Sequence, residues 1–157
     1  ITAAISSVIY ATMVTEWGKG ASVKSLIKLT MKPVALTIVL FLFFVPTGWL
    51  LLPKIIKIVL PNYLDGLYAA QWMLLVGFME VFNVFGNIYN VVKKQRDRLI
   101  YFMSGILSWL LTIFILYYLF GLTLDIFPKA MIIGFITMLM VNLFHMNKYC
   151  NEKYNFV

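Results

Sequence analysis

The apolar positions of this chain fall in long blocks rather than in short alternations. Leu26 to Leu52, Tyr68 to Val92, Leu99 to Phe120 and Leu124 to Phe144 are each dominated by aliphatic and aromatic residues. Helices of about 20 residues or more cross a hydrocarbon layer of about 30 Å. The pattern therefore predicts an all-α fold, a polytopic transmembrane helix bundle with four complete spans at 26–52, 68–92, 99–120 and 124–144. A further apolar run, ITAAISSVIYATMV at 1–14, is too short to span. It has no basic region before it and no small-residue cleavage site after it, so it does not read as a signal peptide. We expect it to be the end of a truncated fifth helix, in a chain that forms the C-terminal part of a larger protein.

The polar breaks between the blocks predict the connections. Thr15 to Ser25 is polar with two glycines and reads as a loop. Pro46 lies deep in the first span, so a kink is expected in the turn between Leu42 and Pro46. From Pro53 to Pro61 the chain is aliphatic apart from Lys54 and Lys57, which predicts an interfacial helix at 53–61 with its lysines reaching to water. Asn62 to Gly66 makes a turn, and Gly121-Leu122-Thr123 permits only a tight hairpin. Tyr63, Tyr68 and Trp72 suit a membrane interface. The end of the chain, from His145, reads as a short polar tail.

Within the second span one acid and three amides share a stripe. With Glu80 at zero and 100° per residue, Asn83, Asn87 and Asn90 fall at about 300°, 340° and 280°. Phe78, Phe82, Phe85 and Tyr89 fall opposite. Glu80 is some 18 Å from either end of its span, and an acid at that depth costs roughly 2.5–3.5 kcal/mol. Two readings stand: a substrate or ion pathway facing a wet cleft, or hydrogen-bonding glue between helices. In both, the stripe is expected to turn inward, away from lipid.

Composition supports the membrane reading. The 157 residues are 62% hydrophobic and 12% charged, with a mean hydropathy of +0.92, where a soluble domain would be about 25% charged. The net charge of +7 would suggest nucleic acid in a soluble chain. Its placement argues for topology instead. Lys19, Lys24, Lys28, Lys32, Lys93, Lys94, Arg96, Arg98, Lys148 and Lys153 fall on one side of the predicted spans, and Lys54, Lys57 and Lys129 on the other. That asymmetry puts the loop at 15–25, the basic turn and the C-terminus in the cytoplasm. The expected location is the cytoplasmic membrane, with membrane lipids as partners and no nucleic acid. Lys93, Lys94, Arg96 and Arg98 are then a cytoplasmic anchor, with some attraction for anionic headgroups.

Little else suggests chemistry. No Ser-His-acid set, paired catalytic carboxylates or dinucleotide fingerprint occurs, so no enzyme and no cofactor are expected. His145 has no ligand at metal-binding spacing, and Cys150 is the sole cysteine. Ser104, Ser108 and Thr112, and the Ala130/Gly134 pair, read as packing faces. Asp125 and Lys129 are spaced for a local ion pair.

Three stretches carry a family resemblance. ISSVIYATMVTEWGKG is followed by a lysine-bearing helix. LLLPKIIKIVLPNYLDGLYAAQWMLLVGF joins an interfacial segment, a tyrosine-containing loop and a helix. Asn90-Val91-Val92-Lys93-Lys94-Gln95 ends a helix in a small basic loop. Together they resemble the polysaccharide flippases of the superfamily that also contains the multidrug exporters and the lipid II flippase, with Ala11 where that family usually has proline. The resemblance implies an alternating-access transporter of two six-helix bundles that moves a lipid-linked oligosaccharide. This chain would be part of the second bundle, completed by N-terminal helices of the parent protein. No catalytic or substrate-contacting residue carries over from the family. The alternatives are a cation-coupled multidrug exporter of the same superfamily, for which Glu80 would bind a cation or proton, and a small non-transporting membrane scaffold.

Overall fold

A chain this poor in charge can satisfy its backbone in lipid only by closing hydrogen bonds within each segment, which favours helices. The computed structural model describes the backbone of residues 2–151 and the side chains of 6–150, and it is all-α, a helical bundle. Helix α1 (Thr2–Gly18) leads into α2 (Val23–Val59), and a 3₁₀ turn (Pro61–Gly66) leads to α3 (Leu67–Met79). A 3₁₀ segment (Glu80–Gly86) joins α3 to the short α4 (Asn87–Val91). Helices α5 (Gln95–Phe120) and α6 (Ile126–Asn151) complete the bundle. Four stretches are long and apolar enough to cross a membrane: Val23–Val59, Pro61–Val91, Gln95–Phe120 and Ile126–Cys150.

The expected loop at 15–25 shrinks to Lys19–Ser22. Gly20 takes φ +85°, and the Ala21 and Gly20 amides donate back to the Glu16 and Trp17 carbonyls at 3.1 and 2.9 Å. This is a Schellman termination, which glycine makes cheap. Ser22 then caps α2, its hydroxyl accepting from the Ser25 amide at 3.3 Å.

Helix α2 runs continuously for 37 residues through Pro33, Pro46 and Pro53. Thr47 Oγ1 donates to the Phe43 carbonyl at 2.8 Å, beside the Leu42 carbonyl that loses its partner to Pro46. The expectation of a separate interfacial helix at 53–61 is corrected: Lys54 and Lys57 stand on the last turns of α2 itself. At 1.5 Å per residue α2 is about 55 Å long, well beyond a hydrocarbon layer.

The elements pair as two hairpins with α1 and α4 against them. Helices α2 and α3 are pinned by the buried Gln71, whose Nε2 donates to the Trp49 carbonyl at 3.1 Å, and by edge-to-face Trp49 and Trp72 at 5.8 Å. Helices α5 and α6 approach closely through Gly105 and Gly134, with Ala130 fully buried and Ser108 and Thr137 hydroxyls 2.9 Å apart. The expected packing role of that small pair is what α6 shows. The turn between them passes through Gly121 at φ +75°.

The buried core lies at the end where the α1–α2 and α4–α5 turns meet the C-terminal part of α6. Met13, Leu26, Ile88, Tyr89, Tyr101 and Tyr149 belong to it. The expected polar tail is therefore corrected: α6 continues through His145, and Met146 and Tyr149 are core residues. Along the rest of α2 and α5, large apolar side chains such as Phe43, Phe44, Leu110 and Phe114 point outward, the surface that acyl chains solvate.

Candidate functional site

The polar stripe sits where the second span leaves α-geometry. Glu80–Gly86, EVFNVFG, is a 3₁₀ helix, with three residues per turn rather than 3.6. Its sequence repeats every three residues: polar or glycine, valine, phenylalanine. Residues three apart eclipse in a 3₁₀ helix, so each type forms its own ridge. Val81 and Val84 are buried at 1% and 2% exposure, Phe82 and Phe85 are half-buried, and Glu80 and Asn83 share the third ridge with Gly86. β-Branched and aromatic residues with asparagine are also weak α-formers. The angles expected from an unbroken α-helix therefore fail between Glu80 and Gly86.

The three amides still turn toward protein. Asn83 Oδ1 accepts from the Tyr101 hydroxyl of α5 at 2.9 Å. Asn87 Nδ2 donates to Ser6 Oγ of α1 at 2.7 Å. Asn90 Oδ1 accepts from the Arg98 guanidinium of α5. The stripe thus reaches α1 on one side and α5 on the other. Between α1 and α4 lies an open groove of about 330 Å³, lined by Ser6, Ser7, Tyr10, Asn87 and Asn90.

Glu80 behaves differently from the amides. It is exposed, and its carboxylate makes no hydrogen bond or ion pair with another described residue. The amides gain their partners one to three turns further along, where α1 and α5 come alongside.

The basic turn has a defined backbone geometry. Val92 ends α4, Lys93 takes φ +58°, and the Lys94 amide donates to the Tyr89 carbonyl at 2.8 Å. This is a second Schellman termination, with lysine where glycine is usual. Lys93 and Arg96 are exposed and Lys94 is half-buried. Arg98 folds back, bonding Asn90 and lying 5.4 Å over the Phe102 ring.

Sequence reasoning missed a buried polar cluster behind the stripe. Tyr89, fully buried, donates its hydroxyl to Asn142 Oδ1 at 3.1 Å, with His145 Nδ1 at 3.5 Å. The Tyr149 hydroxyl donates to Asp97. The aromatic rings of Tyr89, Tyr101 and Tyr149 lie about each other, with Tyr89 centred 5.9 Å from Tyr101 and 6.2 Å from Tyr149. These bonds tie α4, α5 and α6 together. One signal was available: Asn142 is a lone amide in the apolar last span.

A second cavity of about 350 Å³ lies at the opposite end, lined by Asp65, Tyr68, Thr123 and Asp125 among others. Asp125 is held there by Lys129, as its spacing predicted. Lys129 hydrogen-bonded to it, with Thr123 adding to the effect, keeps its carboxyl below the usual carboxylate range. Lys129 also lies 5.4 Å from the Trp72 ring centroid. Among the described residues no three His, Cys, Asp or Glu side chains converge as a metal site.

The geometry defines a class, a helical bundle with four helices long and apolar enough to cross a membrane and a polar groove along one of them. No protein-family model, curated protein or solved structure matches the chain.

Proposed function

We propose that this chain is part of a transporter of the cytoplasmic membrane that flips lipid-linked oligosaccharides for cell-surface polysaccharide export by alternating access, its C-terminus cytoplasmic. The observation that carries the reading is the groove of Ser6, Ser7, Tyr10, Asn87 and Asn90. Hydroxyls and amides that line an open groove along a membrane-spanning rod suit a hydroxyl-rich headgroup, while the apolar outer surface suits its lipid tail. The 3₁₀ segment beside the groove offers the discontinuity that helices at transporter binding sites often show. Missing N-terminal helices of the parent chain would form the facing wall.

The test is transport of a fluorescent lipid-linked oligosaccharide by the full-length parent protein in proteoliposomes. Tyr10→Leu and Asn87→Leu should each lower the rate at least about tenfold while leaving insertion intact. Undiminished transport by both well-inserted variants would remove the groove from the pathway.

Two observations favour other readings. The unpartnered Glu80 suits a cation-coupled multidrug exporter, and the helix-to-helix bonds of Asn83 and Asn90 suit a non-transporting scaffold. Cation-driven drug efflux by the parent protein would support the first. Function of the parent protein that survives loss of Ser6, Ser7, Tyr10 and Asn87 but not of the Asn83 and Asn90 bonds would support the second.

A further inference from the structure

We propose that Lys24, Lys28 and Lys32 form a docking stripe for the phosphate headgroups of anionic membrane lipids. The three lysines are four residues apart at the start of α2 and all are exposed. At 100° per residue they fall within an arc of about 80°, so they line one face of the helix. The opposite face is occupied: Val23, Leu26, Thr30 and Val34 are buried against the bundle.

The length of α2 sets the height of this stripe. From Pro33 to Pro53 the helix carries no charged residue, a stretch of about 31 Å that matches the hydrocarbon layer. Lys32 and Lys54 then mark its two borders. Lys28 and Lys24 stand about 6 and 12 Å above Lys32, across the headgroup layer and its outer edge. Lysine stems that begin at the border lie on apolar surface and deliver the ammonium to phosphate oxygens.

Compensating acids are spoken for. Glu16 pairs with Lys19 at 2.8 Å, and Asp97 accepts from Tyr149. No carboxylate among the described residues pairs with Lys24, Lys28 or Lys32. Exposed Lys93 and Arg96 of the α4–α5 turn add charge at the same end. Topology alone requires a count of charges on one side. It does not require three of them in register on one exposed face, and that alignment is what lipid phosphates would meet.

The experiment measures lipid selectivity of the full chain reconstituted in phosphatidylcholine vesicles that contain spin-labelled phosphatidylglycerol or spin-labelled phosphatidylcholine. The motionally restricted fraction should favour phosphatidylglycerol and the preference should fall as salt is raised. The triple variant Lys24→Gln, Lys28→Gln, Lys32→Gln should weaken the preference by up to about fivefold per lysine, with residual preference from Lys93 and Arg96. The triple Lys→Arg variant should retain it. An unchanged preference in an inserted Gln variant would overturn the proposal, as would a preference indifferent to salt in the unaltered protein. Should the triple Gln variant fail to insert, the single Lys24→Gln, Lys28→Gln and Lys32→Gln variants decide the matter: each should lower the preference, and an unchanged preference in all three would overturn the proposal. Stronger retention of an acidic soluble peptide than of phosphatidylglycerol would also overturn it, by assigning the stripe to a protein partner.

Discussion

Gly105 and Gly134 face each other across α5 and α6 so closely that a Cβ on Gly134 would lie 2.9 Å from the Gly105 carbonyl oxygen. Backbone cannot move aside as a side-chain tip can, so Gly134→Ala must push the two helices apart. The expected loss is about 1–3 kcal/mol, read as a lower unfolding midpoint in detergent. Gly77 provides the control. Nothing lies within 4 Å of a Cβ placed there, and Gly77→Ala inside α3 should stabilise by roughly 0.5–1 kcal/mol. Equal effects of opposite expectation would contradict this packing.

The two Schellman turns at the basic end differ in one residue. Gly20 accepts its positive φ at no steric cost, whereas Lys93 adopts φ +58° with a Cβ. A left-handed residue other than glycine costs roughly 1–2 kcal/mol, partly offset by its lower freedom when unfolded. Lys93→Gly should therefore stabilise by up to about 1 kcal/mol, and Lys93→Val should destabilise. Denaturation midpoints of the two variants check the order.

Tyr89 and Asn142 join α4 to α6 inside the core at 3.1 Å. Tyr89→Phe strips the donor from the Asn142 oxygen. Interhelical bonds of this kind in membranes average about 0.6 kcal/mol and reach about 1.7. A double-mutant cycle with Asn142→Leu should give a coupling in that range. Strict additivity would mean that the bond contributes nothing.

The Asp125–Lys129 pair makes stability depend on pH in a defined direction. Its hydrogen bond from Lys129 lowers the Asp125 carboxyl in the folded state, so the unfolded chain takes up its proton first as pH falls. The contribution is complete above the ordinary carboxylate value of about 4 and disappears as pH falls through the lowered folded value. The stability difference between the unaltered protein and Asp125→Asn should be constant from neutral pH to about 4 and shrink below it. High salt should reduce the difference throughout, because the pair is partly exposed. A difference that widens in acid would reverse the assignment.

Much of the helix layout was legible because a backbone in lipid must close its hydrogen bonds locally. Blocks of apolar residues, the glycine turn at Gly121 and the ion pair of Asp125 with Lys129 are all local, and each appears where spacing placed it. The second span shows where a wheel drawn at 100° per residue stops working. The three-residue repeat from Glu80 to Gly86 was present in the sequence, but an apolar block of helical length conceals a change of helix type.

What the sequence determined by itself is the set of membrane-length helices, the turns between them and the bias of positive charge toward one end. The tertiary structure decided which polar groups have partners. Asn83, Asn87 and Asn90 meet Tyr101, Ser6 and Arg98 across gaps of 8 to 81 residues, while the Glu80 carboxylate, on the same rod, bonds to no described residue. It also joined Lys54 and Lys57 to α2 and drew Tyr149 from an expected tail into the core. Hydrogen bonds between side chains and burial depend on what packs alongside, and periodicity along one helix carries no information about its neighbours.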